Sequence, residues 1–195
     1  MVYPSKQPLK GQYSLADYLS WPQEERWEII DGVVYNMSPA PSIKHQSVAG
    51  KIYSRLERGL SGKSCRPFIA STDVLLSEHD IVQPDVFVVC DPTKITADNI
   101  QGAPDLVVEV LSPSTALKDL LEKKALYERC GVREYIVVDP LELYVESFRL
   151  VEDGRYDKGT IFGPQERLPL PVFGELDIKL WEVFEVEPPL GQGCV

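Results

Sequence analysis

Two short apolar runs in the middle of the chain each carry a carboxylate where a buried strand should carry none: Gln83-Pro84-Asp85-Val86-Phe87-Val88-Val89, and Pro104-Asp105-Leu106-Val107-Val108-Glu109-Val110-Leu111. Runs this short and this rich in Val and Leu predict strands covered on both faces. An ionised Asp85 or Glu109 in such a place loses hydration worth several kcal/mol unless a cation, a proton or a hydrogen-bond donor replaces it. A metal ion is the expected replacement. Sequential strands often pair, so the two acids can face each other across a sheet, and oxygen-only ligation selects Mg2+ or Mn2+ over zinc. Alternation groups Glu109 with Val107 and Leu111, and Asp85 with Phe87 and Val89, without saying whether the two faces coincide.

The rest of the chain bounds what such a pair can serve. With 195 residues and 44% hydrophobic content, the length suits one domain spanning 1–195 with a sizeable core, and no linker interrupts it. A net charge of -10 argues against non-specific coating of nucleic acid, which is driven by phosphate neutralisation, but leaves room for a local basic patch. Cys65, Cys90, Cys130 and Cys194 lie far apart without a Cys-x-x-Cys pair, and His45 and His79 are the only histidines. That pattern speaks against structural zinc and against a disulfide framework. Lys6 and Lys10 are not followed by an apolar signal core, and no stretch approaches the roughly 20 apolar residues of a membrane span. The expected setting is therefore reducing and cytoplasmic.

Local patterns predict the elements. Ser14 with Asp17 resembles a capping box for a short helix that Trp21-Pro22 stops. Trp27 to Ile30 and Val33 to Tyr35 flank Asp31-Gly32, a dipeptide suited to a two-residue hairpin turn, which puts Glu28 on a strand. From about Ser42 to Leu60, Val48, Ala49, Ile52, Tyr53, Leu56 and Leu60 fall at helical spacing, with His45 on the same face. The other side carries Lys44, Lys51, Arg55 and Arg58 along one stripe; a solvated face is the plainer reading, a phosphate-contacting surface the sharper one. Strands follow at Phe68–Ala70 and Val74–Leu76, then a loop from Thr93 to Gly102. Ser112-Pro113-Ser114-Thr115 opens a helix that runs to about Arg129 and that Gly131 ends. Val132 to Asp139 predicts another buried strand, Leu143 to Leu150 a more exposed one, and Leu176 to Trp181 a last one before a frayed tail at about 186–195.

On the helix after Glu109, Leu117, Leu120, Leu121 and Ala125 form the apolar arc at 100° per residue, with Tyr127 at its edge. Lys124 falls inside this arc and Lys123 beside Tyr127. Either ammonium is able to reach back to the sheet, and the helical wheel does not choose between them.

Five strings together resemble the Uma2 family of endonucleases in the PD-(D/E)XK superfamily: WEIIDG at 27–32, MSPAPSIKH at 37–45, QPDVFVV at 83–89, PDLVVEVLSPST at 104–115 and EKKALYERCGVREYIVVDP at 122–140. The resemblance implies an α/β (α+β) fold with a restriction-endonuclease-like core over about 27–140. That core is a mixed central sheet flanked by helices in the order αβββαβ, with an N-terminal hairpin and a C-terminal β extension. It implies Asp85, Glu109 and the Val110 carbonyl as metal ligands, Glu28 as an accessory acid, and His45 and Ser112 at motif positions. The superfamily lysine two residues after the Glu is replaced here by Leu111. Family spacing Lys-x-x-x-Tyr then points to Lys123 with Tyr127. The implied function is Mg2+- or Mn2+-dependent hydrolysis of DNA phosphodiesters, with homodimerisation by analogy to nucleases that cut two strands. A non-catalytic binding or regulatory module on the same fold is the alternative, and a third reading, acids merely salt-bridged in the core, predicts Arg133 or Arg66 against them.

Overall fold

The computed structural model of the chain describes residues 13–22, 26–37, 40–113 and 116–190. Lys6 and Lys10, the cap residues Ser114 and Thr115, and residues 191–195 of the expected frayed tail lie outside that set. Chain order begins with α1 (Leu15–Ser20), whose Ser14 N–H is accepted by Asp17 Oδ2 at 2.8 Å. β1 (Trp27–Ile30) and β2 (Val33–Asn36) follow as the expected hairpin, turning where Asp31 and Gly32 take φ of 51° and 70°. Next come α2 (Ile43–Gly59), β3 (Arg66–Ile69), β4 (Val74–Ser77), β5 (Asp80–Val82), β6 (Val86–Val89), β7 (Ile100–Gln101) and β8 (Leu106–Val110). A π-helical segment, Lys118–Lys123, continues directly into α3 (Lys124–Cys130). The chain finishes with β9 (Glu134–Asp139), β10 (Tyr144–Arg149), β11 (Thr160–Phe162), β12 (Arg167–Pro169), β13 (Asp177–Lys179) and α4 (Leu180–Phe184).

This is a mixed α/β architecture. Its larger sheet has the order β11-β10-β9-β8-β6-β3, with β8 and β9 parallel and the other neighbours antiparallel. Within it the chain visits α2, β3, β6, β8, the π/α3 helix and β9 in turn. β4, β5 and β7 leave for a second sheet, β2-β1-β5-β4-β7, and β12 pairs with β13 in a third, so the described strands are shared among three sheets rather than gathered in one. The predicted loop from Thr93 to Gly102 contains β7, paired in parallel with β4.

Strict alternation along β6 and β8 feeds two cores. Val86, Val88, Leu106, Val108 and Val110 pack beneath α2, against Val48, Ala49, Ile52 and Leu56. Phe87, Val89, Val107 and Leu111 face the other way, toward Leu126 and Tyr127 of α3 and toward Tyr135, Phe148 and Tyr156. β10, expected to be exposed, buries Val145, Ser147 and Phe148 because β9 and β11 flank it.

Cys65 and Cys90 form a disulfide, correcting the expectation of unpaired thiols. β3 and β6 are antiparallel neighbours with Arg66 opposite Val89, so one step further along each strand the two cysteines meet. A separation of 25 residues conceals that register. No described helix is long and apolar enough to cross a membrane.

Candidate active site

Asp85 stands one residue before β6, and the register that sets Val86 opposite Val108 sets it opposite Glu109. Both acids share the face of Phe87, Val89, Val107 and Leu111, so the two faces left open by alternation are one. Asp85 Oδ2 accepts the Val110 N–H at 2.8 Å and lies 3.1 Å from His45 Nε2. His45 is in the first turn of α2, where the Ser42 side chain caps its N–H at 3.2 Å. Burial pushes the imidazole pKa down, but the bond to Asp85 outweighs it and the net direction is up, with the Val110 backbone adding to the effect. Its Nδ1 is buried without a hydrogen-bond partner among the described residues.

The helix after β8 supplies the cations. Lys123 is 2% exposed, with Nζ 2.8 Å from Glu109 Oε1, 2.8 Å from Glu28 Oε1 and 3.8 Å from Asp119 Oδ1. Lys124 instead lies over the Phe148 ring, 3.4 Å from its centroid. Glu28, fully buried on β1, also accepts the Gln83 N–H at 3.1 Å on Oε1 and the Lys118 ammonium at 2.6 Å on Oε2. Glu28 therefore brackets two lysines. Burial pushes its carboxyl up, and the ammoniums of Lys123 and Lys118 outweigh that and bring it down to about 2. Burial likewise pushes the Lys123 ammonium down, yet Glu109, Glu28 and Asp119 carry it well above its ordinary range, so it stays charged.

Glu109 has the opposite fate. Burial raises its carboxyl, Lys123 opposes that, and Asp85, Asp119 and Glu28 add like-charge repulsion, leaving it at about 8. Tyr127 O–H donates to Glu109 Oε1 at 2.8 Å, and the buried phenol is held far above its usual pKa. Lys123 and Tyr127 thus converge on one oxygen of Glu109.

Asp119, Lys123, Leu126 and Tyr127 turn inward, while Leu117 and Leu121 are 75% and 65% exposed. The predicted apolar arc is therefore on the wrong side. In a π-helix the bonds run from residue i to i+5, so residues five apart stack, whereas in an α-helix they diverge by about 140°. Lys118 and Lys123 are five apart, and this turn lets both reach Glu28. The 3.6 periodicity hid Lys118; its fivefold spacing from Lys123 was the only signal. Tyr35 closes the hairpin onto the same helix by donating its hydroxyl to Glu122, and Lys118 Nζ lies 5.2 Å from the centroid of its ring.

These groups line one side of a cavity of about 700 Å3, which Asp85, Glu109, Lys123, His45 and Ser112 share. Ser112 also begins the helix, its carbonyl accepting the Ala116 N–H at 3.0 Å. Neither arginine predicted by the salt-bridged-core reading reaches the pair: Arg133 is 3.3 Å from Asp105, and Arg66 starts β3 as an exposed residue. Of the basic stripe on α2, Lys51 and Arg55 pair with Glu185 and Glu182 at the C-terminal α4, at 2.7 and 3.1 Å, and only Lys44 lines the cavity.

The donor set fits a hard divalent ion. The bonds to Asp85 fall on Oδ2 and those to Glu109 on Oε1, leaving one oxygen of each for a cation that would relieve their mutual repulsion. Among the described residues no three His, Cys, Asp or Glu side chains group as an all-protein cage. Two carboxylates, a carbonyl such as that of Val110 and retained waters are what Mg2+ accepts.

A family model described as "Uma2: Putative restriction endonuclease" matches residues 15–180, from α1 into α4. The chain belongs to the Uma2 family. An uncharacterized protein of Synechocystis sp., slr1290, is 30% identical over 144 residues, 71% of this chain and 74% of its own. The Uma2 fold is shared with a crystal structure from Anabaena variabilis, named as "a putative nuclease belonging to DUF820". That structure has a TM-score of 0.73 at 22% identity and covers 88% of this chain and 97% of the other. In this Uma2 chain Leu111, the position two residues after Glu109, is 7% exposed in the apolar core, and the ammonium beside Glu109 comes from the helix.

Proposed function

We propose that this Uma2 protein is a metal-dependent endonuclease that hydrolyses phosphodiester bonds in DNA. The observation that carries the reading is the meeting of Asp85 and Glu109 across β6 and β8 with the buried Lys123 ammonium 2.8 Å from Glu109. Asp85, Glu109 and the Val110 carbonyl would hold Mg2+ or Mn2+, which when bound polarises a phosphoryl oxygen and activates water. Lys123 keeps a full positive charge beside Glu109, where it orients the nucleophile and stabilises charge building on the phosphate. Glu28 is a positioning residue: with both oxygens bonded to lysines, it fixes the Lys123 ammonium and is not a ligand. His45 holds Asp85 by one oxygen, and Tyr127 helps hold Glu109 by one oxygen, so each acid keeps its second oxygen for the ion. A DNA substrate goes with a cytoplasmic location, which belongs to the same proposal.

The test is cleavage of plasmid and oligonucleotide DNA with Mg2+ or Mn2+ by wild type, Glu109→Ala and Lys123→Ala. Either variant should lose on the order of 10²-fold or more in rate, the scale of removing one transition-state partner. A wild type inert on DNA, together with a Glu109→Ala protein that titrates metal like wild type, would leave a non-catalytic module as the function.

A further inference from the structure

The site's depth and the character of its rim bear on what kind of DNA enters. The Glu109 and Lys123 side chains are 4% and 2% exposed, and Asp85 is 20% exposed, so a phosphodiester reaches them only by descending into the cavity. Its mouth is partly apolar. Leu117 and Leu141, 75% and 63% exposed, line it from opposite segments, the first turn of the π/α3 helix and the turn after β9. Pro41 and Pro113 line it too, beside the exposed polar residues Asn36, Ser42, Lys44 and Gln46.

Cations occupy the same space. Arg26, Lys44 and Lys118 line the cavity; Arg26 spends its Nε on Gln83 at 2.8 Å, Lys118 is held by Glu28, and Lys44 makes no ion pair among the described residues. Outside it, two of the four cations of the positive stripe that a long duplex backbone would need, Lys51 and Arg55, are taken up by Glu185 and Glu182. A duplex keeps its bases stacked and paired and presents only backbone and groove edges. A strand with an unpaired nucleotide bends into a pocket and offers base faces that gain by covering apolar side chains.

We infer that the substrate is an unpaired stretch of DNA, whose phosphodiester enters the cavity while the flanking bases lie on the Leu117–Leu141 rim. The inference rests on the endonuclease reading and narrows it. One site suffices for such a strand.

The experiment measures binding and cleavage separately on one fluorescently labelled oligonucleotide. The DNA is used single-stranded, annealed as a blunt duplex, and annealed to a complement that leaves a central gap. Anisotropy with wild type in Ca2+ should show the strand and the gapped duplex binding about tenfold or more tighter than the blunt duplex, the scale of covering one exposed leucine side chain. In the Leu117→Ser/Leu141→Ser protein, which alters only exposed positions, that ratio should collapse toward one. A blunt duplex bound as tightly as the strand, or a ratio unchanged in the double variant, overturns the inference. Cleavage in Mg2+ or Mn2+ decides the other matter: selective binding without cleavage of any substrate removes the nuclease reading and leaves a strand-binding site.

Discussion

Lys123 is shared by Glu109, Glu28 and Asp119 in a volume that water scarcely reaches. Removing its charge while keeping its bulk, as in Lys123→Met, strands buried carboxylates; about 3–5 kcal/mol of stability should be lost, as read by urea unfolding at pH 7. Lys123→Arg should not restore cleavage, because a planar guanidinium cannot replace a compact ammonium held by three carboxylates. Glu28 carries an acid dependence. Its folded pKa of about 2 lies below the ordinary 4.5, so its stabilisation is complete above pH 4.5 and is lost as pH falls from there through about 2. Glu28→Gln should flatten that limb of a stability–pH profile, and an unchanged profile would contradict the bracket geometry. Asp85 and Glu109 were legible in the sequence because acids inside apolar runs are anomalies, whereas Glu28 came only through the family resemblance. Lys118 was not legible, because nothing in a helical wheel marks a π turn.

The π segment is the element on which the site's geometry turns. Deleting the exposed Leu121 would let the segment relax to α-helical turns with Lys118 and Lys123 four residues apart, about 40° from alignment and still on the face of Glu28. Such a variant should keep cleavage and its far-ultraviolet circular dichroism near wild type; lost cleavage would show that the wider turn itself is needed. The same element explains the misplaced apolar arc. Leu117, Leu121 and Ala125 obey a 3.6 period on paper, yet the tertiary contacts of Lys118, Lys123 and Tyr127 override it. α2 shows a related limit: its buried face of Val48, Ala49, Ile52 and Leu56 was legible from spacing alone. The fate of its basic stripe was not, because Glu182 lies 127 residues from Arg55 in the chain.

At the scale of the molecule, the mixed α/β class followed from the alternation of apolar runs and helical patterns. The departure of β4, β5 and β7 to a second sheet did not, since they are too short for their pairing partners to be read from composition. The Cys65–Cys90 bond ties β3, an edge of the larger sheet, to β6, and Cys90 is five residues along the chain from Asp85. Reduction should cost about 3 kcal/mol, the chain-entropy scale for a loop of this length, while leaving site chemistry intact. Unfolding and cleavage with and without dithiothreitol would check both halves.

The pairing of Lys51 with Glu185 and of Arg55 with Glu182 has a thermodynamic consequence. Cations already neutralised by the protein's own carboxylates release few condensed ions when a nucleic acid binds. Of the described cations that line the cavity, Lys118 and Lys123 are bonded to buried carboxylates, which leaves Arg26 and Lys44, so the logarithm of affinity for a single strand should fall with the logarithm of salt concentration at a slope of about -1.4. A protein built in this way would keep its grip on a strand at ionic strengths that strip a backbone-tracking binder from DNA.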